Sequence, residues 1–261
     1  MSERRVAIVT GASSGIGAAI ARALGACGFA LALGARRAEE LAAVAKTVEQ
    51  SGGRAIPLPV DLSDPASLDA FFDAAEATLG PVDVLVNNAG ICVPGLLHEV
   101  DAGALRRELA VNLLAPALLA RRAIGSLLSR GARGDLVWIS SENVVAPRPF
   151  QAGYTASKWG LEGLARTLRL ELDGSGIRST IVRPGPTFPT DFARDWEPAL
   201  LKRILETWNA LGLQRHLRGL PAESVAETVA AVVNAPPGTH FDVVHLGPEA
   251  PPELRLVRGK A

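Results

Sequence analysis

Short apolar runs rich in β-branched residues recur along this chain. Each gives way to a longer stretch whose apolar positions return every third or fourth residue. The runs Val6–Thr10, Ala30–Ala35, Ala55–Val60, Val82–Asn87, Leu136–Ser140, Ser179–Arg183 and Phe241–Leu246 predict strands. The stretches Ile16–Ala26, Glu39–Gln50, Pro65–Leu79, Ala102–Leu128, Tyr154–Leu172 and Glu223–Val233 predict helices. Strands alternating with helices imply an α/β fold: a parallel seven-stranded sheet, helices on both faces, right-handed crossovers. The 261 residues suit one domain, residues 1–261, and no repeat or linker divides them. Only Pro186–Pro221 breaks the alternation, being too long for a simple connection. Within it Phe192, Trp196, Leu200 and Trp208 fall at roughly helical spacing, which predicts one apolar stripe. The tail after Pro248 reads as a loose end.

Composition narrows the function. Lys+Arg and Asp+Glu both number 27, with no basic run or acidic tail, so a nucleic-acid partner is not expected. His98, His216, His240 and His245 lack metal-ligand spacing, and Cys27 and Cys92 form no C-x-x-C pair, so no metal site is expected. Two separated cysteines suit a reducing compartment, and a cytoplasmic location is the expectation. The basic start before Val6 is followed by too short an apolar run for a signal peptide and reads as a strand. No run of about 18 apolar residues predicts a membrane span.

The first strand runs into Gly11-Ala12-Ser13-Ser14-Gly15-Ile16-Gly17. Read as G-x-S-x-G, this is a hydrolase elbow with Ser13 as nucleophile. Read as G-x-x-x-G-x-G before a helix, it is a loop whose backbone N–H groups approach a phosphate. The elbow reading fails on position: an elbow serine belongs deep in the sheet order, whereas Ser13 follows the first strand, His240 or His245 could be offered as base only by assertion, and no HGGG-type oxyanion stretch exists. The second strand ends Ala35-Arg36-Arg37. An acid there would suit the ribose 2′-hydroxyl of NAD, whereas an arginine suits the 2′-phosphate of NADP. The chain therefore favours NADP over NAD, with Arg36 preferred over Arg37 as the phosphate partner.

Tyr154 is the only tyrosine, and Lys158 follows it by one helical turn. Such a pair projects from one face, and a nearby ammonium favours tyrosinate, lowering a phenol pKa from about 10. Ser141 lies just after the fifth strand, Asn87–Gly90 follows the fourth, Asn112 sits inside a long helix, and Arg183–Thr187 follows the sixth. Pro116 has no N–H for the Asn112 carbonyl, which leaves that carbonyl open or simply kinks the helix.

Taken together, T-G-x-x-x-G-x-G, N-N-A-G, Asn, Ser and Y-x-x-x-K appear in an order and spacing that resemble the short-chain dehydrogenase/reductase family, from about Val6 to about Leu246. The resemblance implies a doubly wound Rossmann-type sheet and hydride transfer between NADP(H) and a carbonyl or secondary alcohol. It implies that Tyr154 is the acid/base and that Lys158 binds the nicotinamide ribose. Ser141 holds the substrate carbonyl, and Asn112 holds a water. Gly11, Ser13, Ser14, Ile16 and Gly17 would line the pyrophosphate and adenosine ribose, and Asp61 and Leu62 the adenine. Asn88, Ala89 and Gly90 would support the ribose, and Pro184, Gly185 and Thr187 the nicotinamide carboxamide. It further implies a homo-oligomer, dimer or tetramer, paired through the two long helices, and a substrate lid at about 186–221. If the aromatic stripe lines the pocket, the substrate is bulky and apolar. The alternative is a non-catalytic NADP(H)-binding sensor or scaffold, which would need no Ser141.

Some positions depart from the family pattern. Pro189 stands where a threonine is common, leaving open whether Thr187 or Thr190 faces the cofactor. Glu142 and Asn143 replace small residues; either they touch substrate or Glu142 simply pairs with an arginine such as Arg148, and the pairing is the favoured expectation. Trp159 is expected at an interface or in the core.

Overall fold

The computed structural model describes residues 4–213 and 218–251. His216 and most of the tail lie outside them. Strands β1 (Val6–Thr10), β2 (Ala30–Ala35), β3 (Arg54–Pro59), β4 (Val82–Asn87), β5 (Gly134–Ile139) and β6 (Ile177–Pro184) alternate with helices α1 (Gly15–Ala26), α2 (Ala38–Gln50), α3 (Pro65–Leu79), α4 (Ala102–Leu109), α5 (Ala115–Ser129) and α6 (Ala152–Glu171). A π turn, Ala110–Leu114, joins α4 to α5. Then come β7 (Thr187–Phe188), α7 (Pro198–Ala210), β8 (Leu220–Pro221), α8 (Ala222–Val233) and β9 (Val243–Leu246).

The seven-stranded sheet has the order β3-β2-β1-β4-β5-β6-β9, and every pairing is parallel. A parallel sheet covered on both faces needs strands apolar on both faces. β1 and β2 are buried throughout, whereas edge strand β3 is largely uncovered and carries Pro57 and Pro59, which an edge tolerates. Alternate residues feed two cores. Ala7, Val9, Leu31, Leu33 and Val137 meet α1, α2 and α8. Ile8, Ala32, Leu85, Leu136 and Trp138 meet α3, α5 and α6. The Trp138 indole N–H donates to Ser179 Oγ at 2.9 Å, so its large apolar body is buried without stranding its polar atom.

The chain winds outward from β1 to β3, then returns to β4 beside β1. That reversal opens a crevice at the carboxyl ends of β1 and β4. The rod Ala102–Ser129 is long and apolar enough, by length and composition, to cross a membrane, which inspection of the sequence missed. Its apolar residues Val111, Ala115, Leu119, Ala120, Ala123 and Leu127 are buried in the second core.

The 186–221 stretch departs from a single stripe. Its helix starts only at Pro198, where Glu197 caps the Leu200 N–H at 2.9 Å. Phe192 and Trp196 therefore precede the helix, and only Leu200 and Trp208 lie on it.

Candidate active site

The glycine loop leaves β1 at the crevice. Gly11 has φ +67°, and a Cβ on Gly17 would lie 2.2 Å from the Gly11 carbonyl oxygen. A side chain at 17 would push α1 away from the loop. Asn88 donates from Nδ2 to the Thr10 carbonyl at 2.8 Å, while Thr10 Oγ1 accepts the Asn88 and Ala89 N–H groups, both at 3.1 Å. These bonds lock the ends of β1 and β4 together. The amino end of α1 has no side-chain cap and no acid in its first turn. By contrast, α3 and α4 are capped by Asp64 and Asp101. Free N–H groups at a helix start fit a phosphate.

The end of β2 carries no acid. Arg36 is exposed, and Arg37 turns back onto the loop, donating to Ser13 Oγ at 3.0 Å and Ser14 Oγ at 2.8 Å. The sequence preferred Arg36, yet Arg37 is the arginine that reaches the loop. Ser13 thus faces a guanidinium, while His240 bonds the Ser179 carbonyl at 3.0 Å; no serine–histidine dyad forms at the loop among the described residues. The Asp61 carboxylate lies below its usual range, through hydrogen bonds from Ser63 and the charges of Arg107 and Arg36. Leu62 beside it is buried. Uncapped N–H groups, a close-packed glycine and an arginine reaching the loop fit the phosphates of a dinucleotide, although Arg37 is also paired with Glu40 at 3.1 Å and Asp191 at 2.8 Å.

Tyr154 and Lys158 project from one face of α6, both buried. Ser141 follows β5, its Oγ accepts the Asn143 N–H at 3.2 Å, and its hydroxyl acts to lower the Tyr154 pKa. Lys158 Nζ donates to the Ile139 carbonyl at 2.8 Å, and a Cβ on Gly90 would lie 3.4 Å from that nitrogen. Ser141, Tyr154 and Lys158 therefore converge with Gly90, distant in sequence, at the ends of β4 and β5. The expected lowering of the phenol pKa by Lys158 is not what the structure shows. Burial raises Tyr154 well above its ordinary value and outweighs the opposing effect of Ser141. Burial also lowers Lys158 to about 8, and its ammonium is turned to a carbonyl, with Nζ 5.7 Å from the Tyr154 ring centre. The cover over Tyr154 includes Phe192, whose ring stands edge-on at 5.1 Å, with Trp196 tilted behind it at 5.7 Å.

Asn112 sits in the π turn just ahead of Pro116, where the helical ladder changes register. Its side chain exchanges two bonds with Ile91, N–H to Oδ1 at 2.9 Å and Nδ2 to carbonyl at 2.8 Å, and also donates to Ser157 Oγ at 3.0 Å. Pro184 and Gly185 end β6 against Glu142, which pairs with Arg148 as expected. Thr187 Oγ1 donates to the Gly185 carbonyl at 3.0 Å. Thr190 instead packs on the glycine loop, its Cβ 3.4 Å from where a Gly15 Cβ would stand. Trp159 is exposed on α6.

Glu162 escaped the sequence reading. It is buried on α6, accepts from Ser140 Oγ at 2.7 Å and takes both arms of Arg183 at 2.9 and 2.7 Å. One carboxylate thus ties the helix bearing Tyr154 to the ends of β5 and β6. Burial pushes its pKa up, but Arg183 and Ser140 outweigh that and leave it low. Losing one partner of such a buried pair typically costs about 3–5 kcal/mol. Only the i,i+4 spacing to Arg166 was visible in sequence.

A family model described as short chain dehydrogenase matches residues 5–200. A short chain dehydrogenase of Pseudocercospora fijiensis is 38% identical over 69% of this chain and 59% of its own length. The 3beta-hydroxysteroid dehydrogenase 1 of Eggerthella lenta is 38% identical over 69% of this chain and 70% of its own. A crystal structure of a metagenomic short-chain oxidoreductase in complex with NADP superposes with a TM-score of 0.78 at 34% identity, covering 94% of this chain and 98% of that one.

Proposed function

This chain belongs to the short-chain dehydrogenase family, and we propose that it moves hydride between NADP(H) and a carbonyl or secondary alcohol on a bulky, apolar molecule. The observation that carries this reading is the convergence of Ser141, Tyr154 and Lys158, all buried, at the strand ends beside the glycine loop. A sensor or scaffold needs no such trio.

When bound, the nicotinamide would supply or accept the hydride. Tyr154 gives or takes the proton of the substrate oxygen, and Ser141 holds that oxygen as its charge develops. Burial favours the neutral phenol, the form that donates when a carbonyl is reduced. Lys158 and Asn88, Ala89 and Gly90 would hold the nicotinamide ribose. Gly11, Ser13, Ser14, Ile16 and Gly17 would receive the pyrophosphate. Arg37, with Arg36 beside it, would pair with the 2′-phosphate, while Asp61 and Leu62 would flank the adenine. Pro184, Gly185 and Thr187 would take the carboxamide end.

The aromatic cover formed by Phe192 and Trp196 supports a lid over 186–221 and an apolar substrate. The steroid relative makes an alicyclic ketone the first compound to try. Leu114 and Leu128 on the π turn and α5, with Trp159 and Leu170 on α6, leave apolar surface exposed, which supports pairing of copies through those helices. Cys27 and Cys92 are free thiols, in keeping with a reducing, cytoplasmic setting.

The test is fluorescence titration with NADPH and NADH, followed by turnover of a panel of cyclic ketones. NADPH binding with ketone reduction supports the reading. NADPH binding without turnover across the panel favours the sensor, and failure of both cofactors to bind overturns the proposal.

A further inference from the structure

Helix α4 carries an acid that none of these roles uses. Glu108 is fully buried, one turn before Asn112 and on the same face. Its Oε1 accepts the Val93 N–H at 2.9 Å, while Asn112 grips Ile91 two residues earlier. The two side chains hold alternate residues of one extended segment against the helix. Glu108 Oε2 is buried without a hydrogen-bond partner. It lies against Gly153, where a Cβ would stand 2.2 Å away. Gly153 immediately precedes Tyr154, so its missing side chain is what lets α4 and α6 close on this carboxyl. The contact continues through Asn112 to Ser157, whose hydroxyl donates to the Tyr154 carbonyl at 2.7 Å.

We infer that Glu108 is a positioning residue for Tyr154: it clamps the Ile91–Val93 segment to the amino end of α6, and its ionisation weakens the acid–base function of the tyrosine. This rests on the dehydrogenase reading for the use made of Tyr154. An ionised Oε2 would find no donor, since it is buried with no hydrogen-bond partner among the described residues. The Cys92 thiol, from the segment after β4, and the Tyr154 phenol, from α6, both lie near enough to feel its charge. A charge on Glu108 opposes the ionisation of both. Burial accordingly pushes the Glu108 carboxyl up to about 7. Its deprotonation would place an anion beside the phenol and make it a weaker acid.

Tyr154 is the only tyrosine, so ring-labelled tyrosine gives the full chain a single reporter of this coupling. Its carbon resonances are followed from about pH 5 to about pH 9 in the parent protein, E108Q and G153A. The parent is expected to show a step centred near the Glu108 transition. E108Q, which keeps the shape and the acceptor for Val93, is expected to lose it. G153A, which presses on the carboxyl from the other side, is expected to displace it. With substrate, the ratio of parent to E108Q kcat falls through the same range while KM stays level. A parent protein without the step, or the same step in E108Q, overturns the inference. So does a kcat loss in E108Q that does not vary with pH, which would make Glu108 merely structural. The resonance needs no cofactor or substrate. A Glu108-dependent step in a chain that binds no NADPH would sink the dehydrogenase reading and leave the coupling standing.

Discussion

Arg37 holds the Asp191 carboxylate at 2.8 Å while the same guanidinium donates to Ser13 and Ser14 of the glycine loop. Asp191 comes from the 186–221 stretch, and its carboxyl is held below its usual range by Arg37 and Ser14. A side-chain anion thus stands where the proposed cofactor would bring a phosphate. Cofactor and Asp191 then compete for one cation.

Removing the competitor should therefore tighten cofactor binding. The Arg37–Asp191 pair is partly exposed, and such pairs are worth about 0–1 kcal/mol. Asp191→Ala is expected to improve NADPH affinity by up to about fivefold and leave NADH unchanged. Arg37→Ala removes a charge-assisted contact worth roughly 1.5–3 kcal/mol, weakening NADPH by about 10- to 100-fold. Fluorescence titration of both variants checks this. Equal effects on NADPH and NADH would detach Arg37 from the 2′-phosphate.

Tyr154→Phe keeps the ring that meets Phe192 and removes only the hydroxyl. Turnover should fall by about 10²–10⁴, with NADPH binding retained. Near-normal turnover in a folded variant would take the proton-transfer role away from Tyr154.

The strands and most helix ends could be read from periodicity because the covered sheet demands apolar runs and the helices demand an apolar face. Ser141, Tyr154 and Lys158 could be read from spacing because each stands at a strand end or helix start. What the sequence hid depends on packing. Glu108 and Glu162 look like ordinary helical acids until burial and their partners are seen. The choice between Arg36 and Arg37 turns on side-chain direction after β2. The lowered phenol pKa failed because spacing shows that an ammonium is near, but not that the phenol is buried or that the ammonium turns to the Ile139 carbonyl instead. The late start of α7 had a visible signal, Glu197-Pro198, that the aromatic spacing overrode.

Phe192→Ala should loosen the apolar side of the site. An aromatic pair contributes about 0.5–1.5 kcal/mol, so KM for a ring-bearing ketone is expected to rise about two- to tenfold, with kcat less affected. The variant also lets water reach Tyr154, so the phenol should ionise at lower pH. Near-ultraviolet titration of this single tyrosine reads that directly. An unchanged tyrosinate transition would show that Phe192 does not set the solvation of the site.

Glu108 also predicts how stability depends on pH. Its carboxyl rises from the ordinary 4.5 to about 7 in the folded chain. Between those values the folded state holds a proton that the unfolded state has lost. Stability is therefore fully present below about 4.5 and falls as pH rises toward 7, where the folded carboxyl ionises. Glu108→Gln cannot ionise and escapes this loss while keeping the contact with Val93. Its thermal midpoint should gain on the parent protein across that window and hold a constant lead above it. Parallel melting curves for the two proteins from acid to neutral pH would mean that Glu108 is solvated in the folded state and carries no burden of this kind.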